Sequence, residues 1–473
     1  MHPPIDPARG RPGYVAGVCG VAALGGLLFG YDTAVINGAI GFLVEHFALT
    51  PAMKGWAASS ALLGCVLGVS LAGTFSDRLG RRKTLLLAAV LFLVSAVGTA
   101  VPRSFTVFVV FRILGGIGVG IASMASPMYI AELSPARIRG RMVSVNQLAI
   151  VGGMLVIYFV NYAIARQGDA AWQVATSWRW MFGSEALPAM LFLACLSLVP
   201  ESPRWLIEQG HDAAALRVLE RVGGSGFAAT EAAEIRATIG REGARFSELL
   251  GPRWRPVLVV GIALAVLQQV TGINVFLYFG AEIFKQIGAN VDAALIQQVV
   301  VGAANLLFTV FAIVTVDRLG RKPLMVVGAA GMGACLVGMG IVAQSGALGV
   351  WVLGFILGYI ACFAMSVGPV TWVILSEIFP TRLRGRALGV ATLFLWSANF
   401  AVSQTFPMMD ENSWLVARFK HAFPFYVYAG FCVVLVGLVA FFIPETKGRT
   451  LEEIERSLGS VDRSQQDRTV SAG

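Results

Sequence analysis

Three ionisable residues lie inside long apolar stretches of the sequence: Asp32, Arg112 and Glu185. A charge inside a membrane-spanning helix costs about 2.5–3.5 kcal/mol on insertion scales, so each one needs a function or a partner. An Asp opposite an Arg can form a fixed ion pair, or it can bind and release a proton as the Arg moves. The sequence predicts a proton site at Asp32 and Arg112, with the fixed pair as the alternative. Glu185 either extends the proton path or joins two packed helices.

Uncharged polar side chains and indoles also recur within apolar stretches, at Gln147, Gln268, Gln269, Asn274, Tyr278, Asn305, Trp372 and Trp396. Amides donate and accept hydrogen bonds together, as a sugar hydroxyl does. Indole offers an apolar face to the C–H side of a sugar ring, and one N–H donor. The set suits a neutral polyol better than an ion. The alternative is that each amide binds a neighbouring helix.

The composition places these residues in a membrane. The chain of 473 residues is 56% hydrophobic and only 13% charged, whereas soluble domains carry about 25% charged residues. The net charge of +9 comes from short basic clusters between apolar stretches, which is typical of cytoplasmic membrane loops and not of a nucleic-acid surface. We therefore expect the lipid bilayer, and no nucleic acid, as a partner. The first stretch, from about Tyr14, is too long for a signal peptide.

A spanning helix needs about 20 mostly apolar residues. Twelve stretches qualify, at 14–43, 54–75, 84–101, 106–131, 142–164, 180–200, 256–287, 293–316, 323–343, 350–378, 386–410 and 423–443. The fold class expected is an all-α membrane protein of twelve transmembrane helices in two six-helix lobes, with short cytoplasmic helices. The expected domains are an N-terminal lobe at 1–200, a linker at 201–255, a C-terminal lobe at 256–443 and a tail at 444–473.

Three sequence motifs occur twice, about 240 residues apart. They are Asp77–Lys83 with Asp317–Pro323, Glu132–Arg141 with Glu377–Arg386, and Pro200–Arg204 with Pro444–Arg449. Parallel repeats in an apolar chain suggest a two-lobed transporter with its site between the lobes. Because the basic copies fall on one side of the predicted helices, both termini are expected in the cytoplasm.

Glycine and proline can interrupt some of these helices. Gly368-Pro369 and the glycines before Asp32 can act as gates, or Gly368-Pro369 can be a fixed kink. A further helix is expected from about Leu451. The six cysteines are far apart without metal-ligand spacing, and no nucleophile lies beside a base. The sequence predicts no metal, no cofactor and no enzyme.

Together, these residues resemble the sugar porter branch of the major facilitator superfamily, from about Gly25 to Glu455. The motifs that carry the likeness are Asp77–Lys83 with Asp317–Lys322, Pro200–Arg204, Gln268-Gln269 with Ile273-Asn274, and Pro444–Gly448. Within the branch, Gly25–Asn37, Phe159–Tyr162 and Phe406–Trp414 look like bacterial D-xylose:proton symporters. The resemblance implies a monomeric symporter of the bacterial inner membrane.

The resemblance also implies roles for individual residues. Direct sugar contacts are implied for Gln147, Gln268, Gln269, Asn274 and Trp372. The residues implied to line the site are Phe29, Tyr278, Asn305, Phe363, Gly368 and Trp396. Asp32 and Arg112 would couple to the proton, since facilitative relatives typically have Asn at the position of Asp32. A cytoplasmic gate is implied at Arg81, Glu132, Arg321, Glu377 and Arg384.

Two positions depart from the xylose symporters, which carry Gln where this chain has Met154 and Leu395. Both changes remove hydrogen-bonding groups, so a pocket tuned to one pentose would be altered. The function predicted is proton-coupled import of a neutral monosaccharide by alternating access, with D-xylose first and D-glucose or a related aldose second. The alternatives are a facilitative uniporter and a sugar sensor that does not transport.

Overall fold

The computed structural model describes residues 12–239, 246–252, 254–345, 350–379, 383–445 and 447. Contacts divide the chain into two compact units, Met1–Gly243 and Ala244–Gly473. All regular elements of the described residues are helical, as the sequence predicts. The helix expected from Leu451 lies outside the described residues, and so does Arg382 of the repeated motif.

The first unit contains eleven α-helices and one π-helical turn. They are α1 (Pro12–Phe47), α2 (Pro51–Leu79), α3 (Arg81–Ala100), α4 (Phe105–Leu133), α5 (Ala136–Ala165), α6 (Ala170–Trp172), the π turn Gln173–Ser177, α7 (Trp178–Gly183), α8 (Ala186–Leu198), α9 (Pro203–Glu208), α10 (Asp212–Gly223) and α11 (Ser225–Ile239). Side-chain caps begin several of them: Thr50 accepts from the Met53 N–H before α2, where Pro51 fits the first helical position.

The second unit contains ten α-helices and one π-helical turn in its described residues. They are α12 (Phe246–Leu249), α13 (Arg255–Val270), α14 (Ile273–Gln286), α15 (Val291–Leu319), α16 (Arg321–Ser345), α17 (Val350–Cys362), the π turn Phe363–Val367, α18 (Gly368–Ile378), α19 (Arg384–Asp410), α20 (Ser413–Phe419) and α21 (Phe423–Phe442).

Twelve helical segments of the described chain are long and apolar enough to cross a membrane, and each overlaps one predicted stretch. The sixth segment runs from Ala170 to Leu198 and the tenth from Trp351 to Ile378, so each includes a π turn. Large apolar side chains such as Leu187 and Val327, each 72% exposed, point away from the helix contacts. Such exposure is expected of a surface that faces lipid, where apolar groups gain nothing by further burial.

The expected interruption before Asp32 is wrong, because α1 continues as one helix through Gly25, Gly26 and Gly30. These glycines instead permit close packing: a Cβ on Gly26 would lie 2.6 Å from Asn146 Oδ1 of α5. The break falls in the seventh segment, between Val270 and Ile273. Gly272 there has φ of 93°, a conformation that glycine adopts without strain.

Candidate functional site

The three intramembrane charges form one cluster inside the first unit. Asp32 is fully buried, and Arg112 and Glu185 are each 1% exposed. Arg112 Nη1 donates to Asp32 Oδ1 over 2.8 Å and to the Asp32 backbone carbonyl over 3.2 Å. Glu185, just before α8, is an electrostatic neighbour of both residues. The structure thus brings together the three residues predicted as a proton site.

The cluster keeps hydrogen-bonding capacity that no protein group uses. Asp32 Oδ2, Glu185 Oε1 and Arg112 Nε are buried and have no hydrogen-bond partner. Two ionised carboxylates and one guanidinium carry a net charge of −1, and one added proton makes the cluster neutral. Because an uncompensated buried charge is costly, this arrangement is chemically suited to bind one proton.

Polar and aromatic neighbours surround the cluster. The Arg112 guanidinium lies over the Phe182 ring, 5.3 Å from its centroid. Tyr31 and Ser184, which precede Asp32 and Glu185 in the sequence, share a hydrogen bond of 2.8 Å between their hydroxyls. This hydrogen bond is a further contact between α1 and the residues before α8.

The predicted row of amides is a hydrogen-bonded chain within the second unit. Asn274 Nδ2 donates to Gln269 Oε1 over 2.6 Å, and Gln269 Nε2 donates to Gln268 Oε1 over 3.2 Å. All three residues are buried, at 8%, 8% and 3% exposure. The chain crosses the break between α13 and α14, so it aligns amides from both helices.

Gln268 ends this chain on the backbone of the tenth segment. Its Nε2 donates to the carbonyls of Val367 (3.1 Å) and Gly368 (2.9 Å), which lie where the π turn meets α18. Both amide hydrogens are therefore used within the protein. For Gln268, the alternative that an amide binds a neighbouring helix is what the structure shows. Its oxygen already accepts from Gln269 and keeps one lone pair for a ligand.

Packing against other helices stabilises the break in the seventh segment. Tyr359 donates its hydroxyl to the Thr271 carbonyl over 2.9 Å. The Tyr428 ring lies against Gly272, where a Cβ would approach it to 2.6 Å. Any larger side chain at Gly272 would therefore collide with Tyr428. It would also strain the backbone, because residues with a Cβ rarely adopt this positive φ.

The remaining predicted site residues of the second unit surround these amides in different ways. Tyr278 and Trp396 are buried, at 3% and 4% exposure, and Asn305 of α15 is 6% exposed. Trp372 is 39% exposed, so its indole is the most accessible of the group. Phe363 begins the π turn, and its ring lies 3.0 Å from an ideal Cβ built on Gly368.

Asn399 belongs to this neighbourhood although the sequence analysis did not select it. It is 2% exposed, donates to the Tyr278 hydroxyl over 3.5 Å, and accepts from Ser403 over 3.2 Å. The available signal was a polar amide three residues after Trp396 in an apolar stretch. In the first unit, Phe29 of α1 and Gln147 of α5 are half-buried.

The repeated motifs form matching charge clusters, one in each unit. Arg81 pairs with Glu132 over 3.0 Å, and Arg321 pairs with Glu377 over 3.1 Å. Ser202 also hydrogen-bonds Glu132. Arg384 begins α19 and is half-buried. The structure thus joins four of the five predicted gate residues in pairs, one pair in each unit.

A carboxylate caps the helix that begins within each copy of the first motif. Glu201 accepts from the Arg82 N–H over 3.0 Å, and Glu445 accepts from the Arg321 and Lys322 N–H groups, both over 3.1 Å. A carboxylate at a helix N-terminus satisfies orphan N–H groups and complements the helix dipole. The sequence analysis noted these Pro-Glu pairs as repeats but did not assign them this capping role.

Comparison with known proteins places the chain in a family. The sequence model of the family described as "Sugar (and other) transporter" matches residues 18–458. The D-xylose-proton symporter of Escherichia coli K12 is 47% identical over 470 residues, covering 93% of this chain and 95% of the relative. The arabinose-proton symporter of Bacillus subtilis is 42% identical, covering 96% and 98%.

The solved structures give the same result. An inward-open conformation of the xylose transporter XylE from E. coli matches with a TM-score of 0.83 at 44% identity, covering 93% of this chain and 99% of that one. XylE bound to 6-bromo-6-deoxy-D-glucose matches with a TM-score of 0.81 at 46% identity, covering 94% and 99%. The chain is a multi-pass membrane protein with the major facilitator fold, and it belongs to the sugar transporter family.

Proposed function

We propose that this protein imports a neutral monosaccharide together with a proton by alternating access. D-xylose is the first candidate substrate, and D-glucose or a related aldose is the second. The observation that carries the proposal is the buried Asp32, Arg112 and Glu185 cluster, which one proton neutralises. The names of two relatives, symporters of D-xylose and of arabinose, support the same reaction.

The sugar-binding groups of the second unit are proposed from its amide chain. Gln269 and Asn274 contact sugar hydroxyls, and Trp372 offers its exposed indole face to the sugar ring. Gln268 accepts one sugar hydroxyl through its oxygen and otherwise orients Gln269. The proposed lining residues of this unit are Tyr278, Asn305, Phe363, Gly368 and Trp396. Gln147 and Phe29 are the proposed sugar-binding residues of the first unit.

Under this proposal the two units have different binding functions. The first unit carries the proton-binding cluster, and the second unit carries most of the sugar contacts. Residue 272, which the repeat offset matches to Asp32, is Gly. The duplicated part is instead the charge pairs Arg81–Glu132 and Arg321–Glu377, which we propose, with Arg384, as the cytoplasmic gate.

The free energy released when a proton enters the cell is sufficient to drive active import across a bacterial inner membrane. A proton that moves inward down about 100 mV gains roughly 2.3 kcal/mol. One pH unit adds about 1.4 kcal/mol. At one proton per sugar, the sum could sustain roughly 500-fold accumulation, because each 1.4 kcal/mol is a factor of ten. We propose a monomer with both termini in the cytoplasm, and no catalytic role.

Sugar-induced proton uptake tests the proposal directly. When D-xylose is added to cells or proteoliposomes in weak buffer, the pH of the external medium should rise in proportion to the sugar taken up. A facilitative uniporter would take up sugar without alkalinisation, and a sensor would bind sugar without uptake. Uptake that proceeds at full rate with no pH change would refute symport and leave the sugar assignment standing.

A further inference from the structure

A second titratable cluster lies in the second unit, at the end opposite to its Arg-rich motif. Asp410 ends α19, a helix that begins at Arg384, and it is 4% exposed. Gln286, the last residue of α14, donates Nε2 to Asp410 Oδ2 over 2.8 Å. His421, just before α21, places Nδ1 3.2 Å from Asp410 Oδ1. One carboxylate therefore connects the ends of two helices and the start of a third.

The helix held at this point is the one that carries part of the amide chain. Asn274 and Tyr278 belong to α14, and Asn274 lies about 18 Å from Gln286 along the helix axis. The near end of α14 begins at the Gly272 break, where the backbone leaves helical geometry. Most side chains of α14 are buried against neighbouring helices, and the clamp adds a polar contact at the end of α14 that lies away from the break.

The backbone at His421 favours this pairing. His421 has φ of 67° and Lys420 has φ of 48°, both in the left-handed region. Residues other than glycine occupy this region at a cost, and surrounding contacts must maintain it. In His421 the bond to Asp410 is such a contact.

We propose that Asp410 is a positioning residue for sugar binding, which holds α14 through Gln286, and that the charge of His421 sets the strength of this hold. The inference rests on the proposed sugar site. It concerns residues outside that site and outside the Asp32 cluster. The name "outer clamp" is used below for Gln286, Asp410 and His421.

The charges around His421 favour its protonated form. The hydrogen bond to Asp410 raises the pKa of His421 above its ordinary value of 6.5, burial opposes this, and Glu411 adds to it. The buried Tyr428 of α21 is an electrostatic neighbour of Asp410. On α14, Glu282 and Lys285 pair with each other over 3.0 Å. Acidic pH therefore charges His421 and tightens the clamp, and the effect is lost as pH rises through the raised pKa.

Sugar binding in the Asp32→Asn variant isolates this effect from proton coupling. The Kd for D-xylose, measured by calorimetry, should rise by about threefold from pH 6 to pH 8.5, as expected of an ion pair in which one partner, His421, is partly exposed. His421→Gln should bind with the weaker affinity at both pH values, and Asp410→Asn should do the same. His211→Gln, which alters an exposed histidine of the first unit, is the matched control and should keep the pH dependence.

Removal of the clamp's donor gives a second test. Gln286→Ala deletes the amide through which Asp410 holds α14. This variant should bind sugar with the weaker affinity at pH 6 and at pH 8.5, and its Kd should not change with pH. A pH dependence that survives in His421→Gln, or an Asp410→Asn variant with parental affinity throughout, would overturn the proposal.

The pairing of His421 with Asp410 can also be measured without any sugar. The His421 resonance in an NMR titration, identified by its loss in His421→Gln, should titrate at lower pH in Asp410→Asn. An unchanged titration would overturn the clamp. A parent protein that binds none of the pentoses or hexoses would refute the proposed function, while the His421 titration would still decide the clamp.

Discussion

Arg112 binds Asp32 twice, through the carboxylate and through the backbone carbonyl of the same residue. The guanidinium is therefore anchored to α1 even when the carboxylate is neutral. Such an anchor lets the carboxylate change its charge while α1 and α4 remain in contact. The unpartnered Asp32 Oδ2 and Glu185 Oε1, and not this second bond, favour the proton site over the fixed ion pair.

The Asp32→Asn variant should retain sugar binding and sugar exchange but lose uphill uptake. Asn has the same shape and still accepts from Arg112, but it cannot take up a proton at neutral pH. The accumulation ratio should fall to about 1, because no step then couples sugar to the proton gradient. Counterflow of labelled D-xylose provides the control for folding. Accumulation that persists would remove Asp32 from the proton path.

The Glu185→Gln variant distinguishes the two roles considered for Glu185, which either extends the proton path or joins two packed helices. In this variant the charges of Asp32 and Arg112 cancel. An added proton would therefore leave a buried positive charge. That state costs several kcal/mol, and proton-driven uptake should fall by at least about tenfold while exchange continues. Tyr31→Phe, which removes a nearby hydroxyl and no charge, should retain most uptake. If Glu185→Gln transports normally and only melts earlier, Glu185 is a packing residue.

The sequence predicted features that depend on local composition. Twelve spans were recognisable because a spanning helix requires a long apolar stretch, and Asp32 and Arg112 were conspicuous because charges are rare there. The break at Gly272 was not predicted, since 256–287 reads as one apolar stretch. Its position depends on Tyr359 and Tyr428, which approach from other helices.

The hydrogen bonds of the amides were also beyond prediction from sequence. Gln268 has the same chemistry as Gln269, yet its hydrogens go to backbone carbonyls of the tenth segment. Which of two adjacent amides faces another helix depends on how closely the helices approach. Asn399 was overlooked for the same reason, because its value lies in its contact with Tyr278.

Single changes in the amide chain should distinguish sugar contacts from positioning. Gln269→Ala and Asn274→Ala should each raise the Kd for D-xylose by about tenfold, which corresponds to one hydrogen bond of about 1.4 kcal/mol. Gln268→Ala should raise the Kd as well, because Gln269 loses the partner that orients it. Calorimetry with the parent sugar and with deoxy analogues measures each effect.

Deoxy sugars decide which amide touches which hydroxyl. In a double-mutant cycle, the parent protein and a variant are each measured with D-xylose and with a deoxy analogue. If Gln269 contacts a hydroxyl directly, Gln269→Ala should not weaken binding of the analogue that lacks this hydroxyl. Gln268→Ala should show smaller coupling to every hydroxyl. Equal coupling for all three residues would mean that Gln268 binds sugar as fully as the others do.

The two carboxylate caps should contribute to stability to a similar extent. Glu201→Ala removes the acceptor of the Arg82 N–H, and Glu445→Ala removes that of the Lys322 N–H. Each change should lower the free energy of unfolding by about 1–2 kcal/mol, as the loss of a helix cap does. Thermal unfolding in detergent measures this. The control is Glu234→Ala on the exposed face of α11, which should leave the melting temperature nearly unchanged.

Restoring the two glutamines of the xylose symporters tests which sugar the pocket prefers. Met154 and Leu395 are buried, at 8% and 4% exposure, so a Gln placed there needs a hydrogen-bond partner. A sugar hydroxyl can supply that partner. Leu395→Gln and Met154→Gln should then lower the Kd for D-xylose by about tenfold relative to hexoses.

Competition binding with a panel of pentoses and hexoses measures this change in preference. Leu395→Met and Met154→Leu conserve volume without adding a hydrogen-bonding group, and they should leave the preference unaltered. If the Gln variants fold, bind sugar and rank the panel as the parent does, then neither position contacts the sugar. The preference would then be set by the residues that this chain shares with the xylose symporters, and D-xylose would become the stronger candidate.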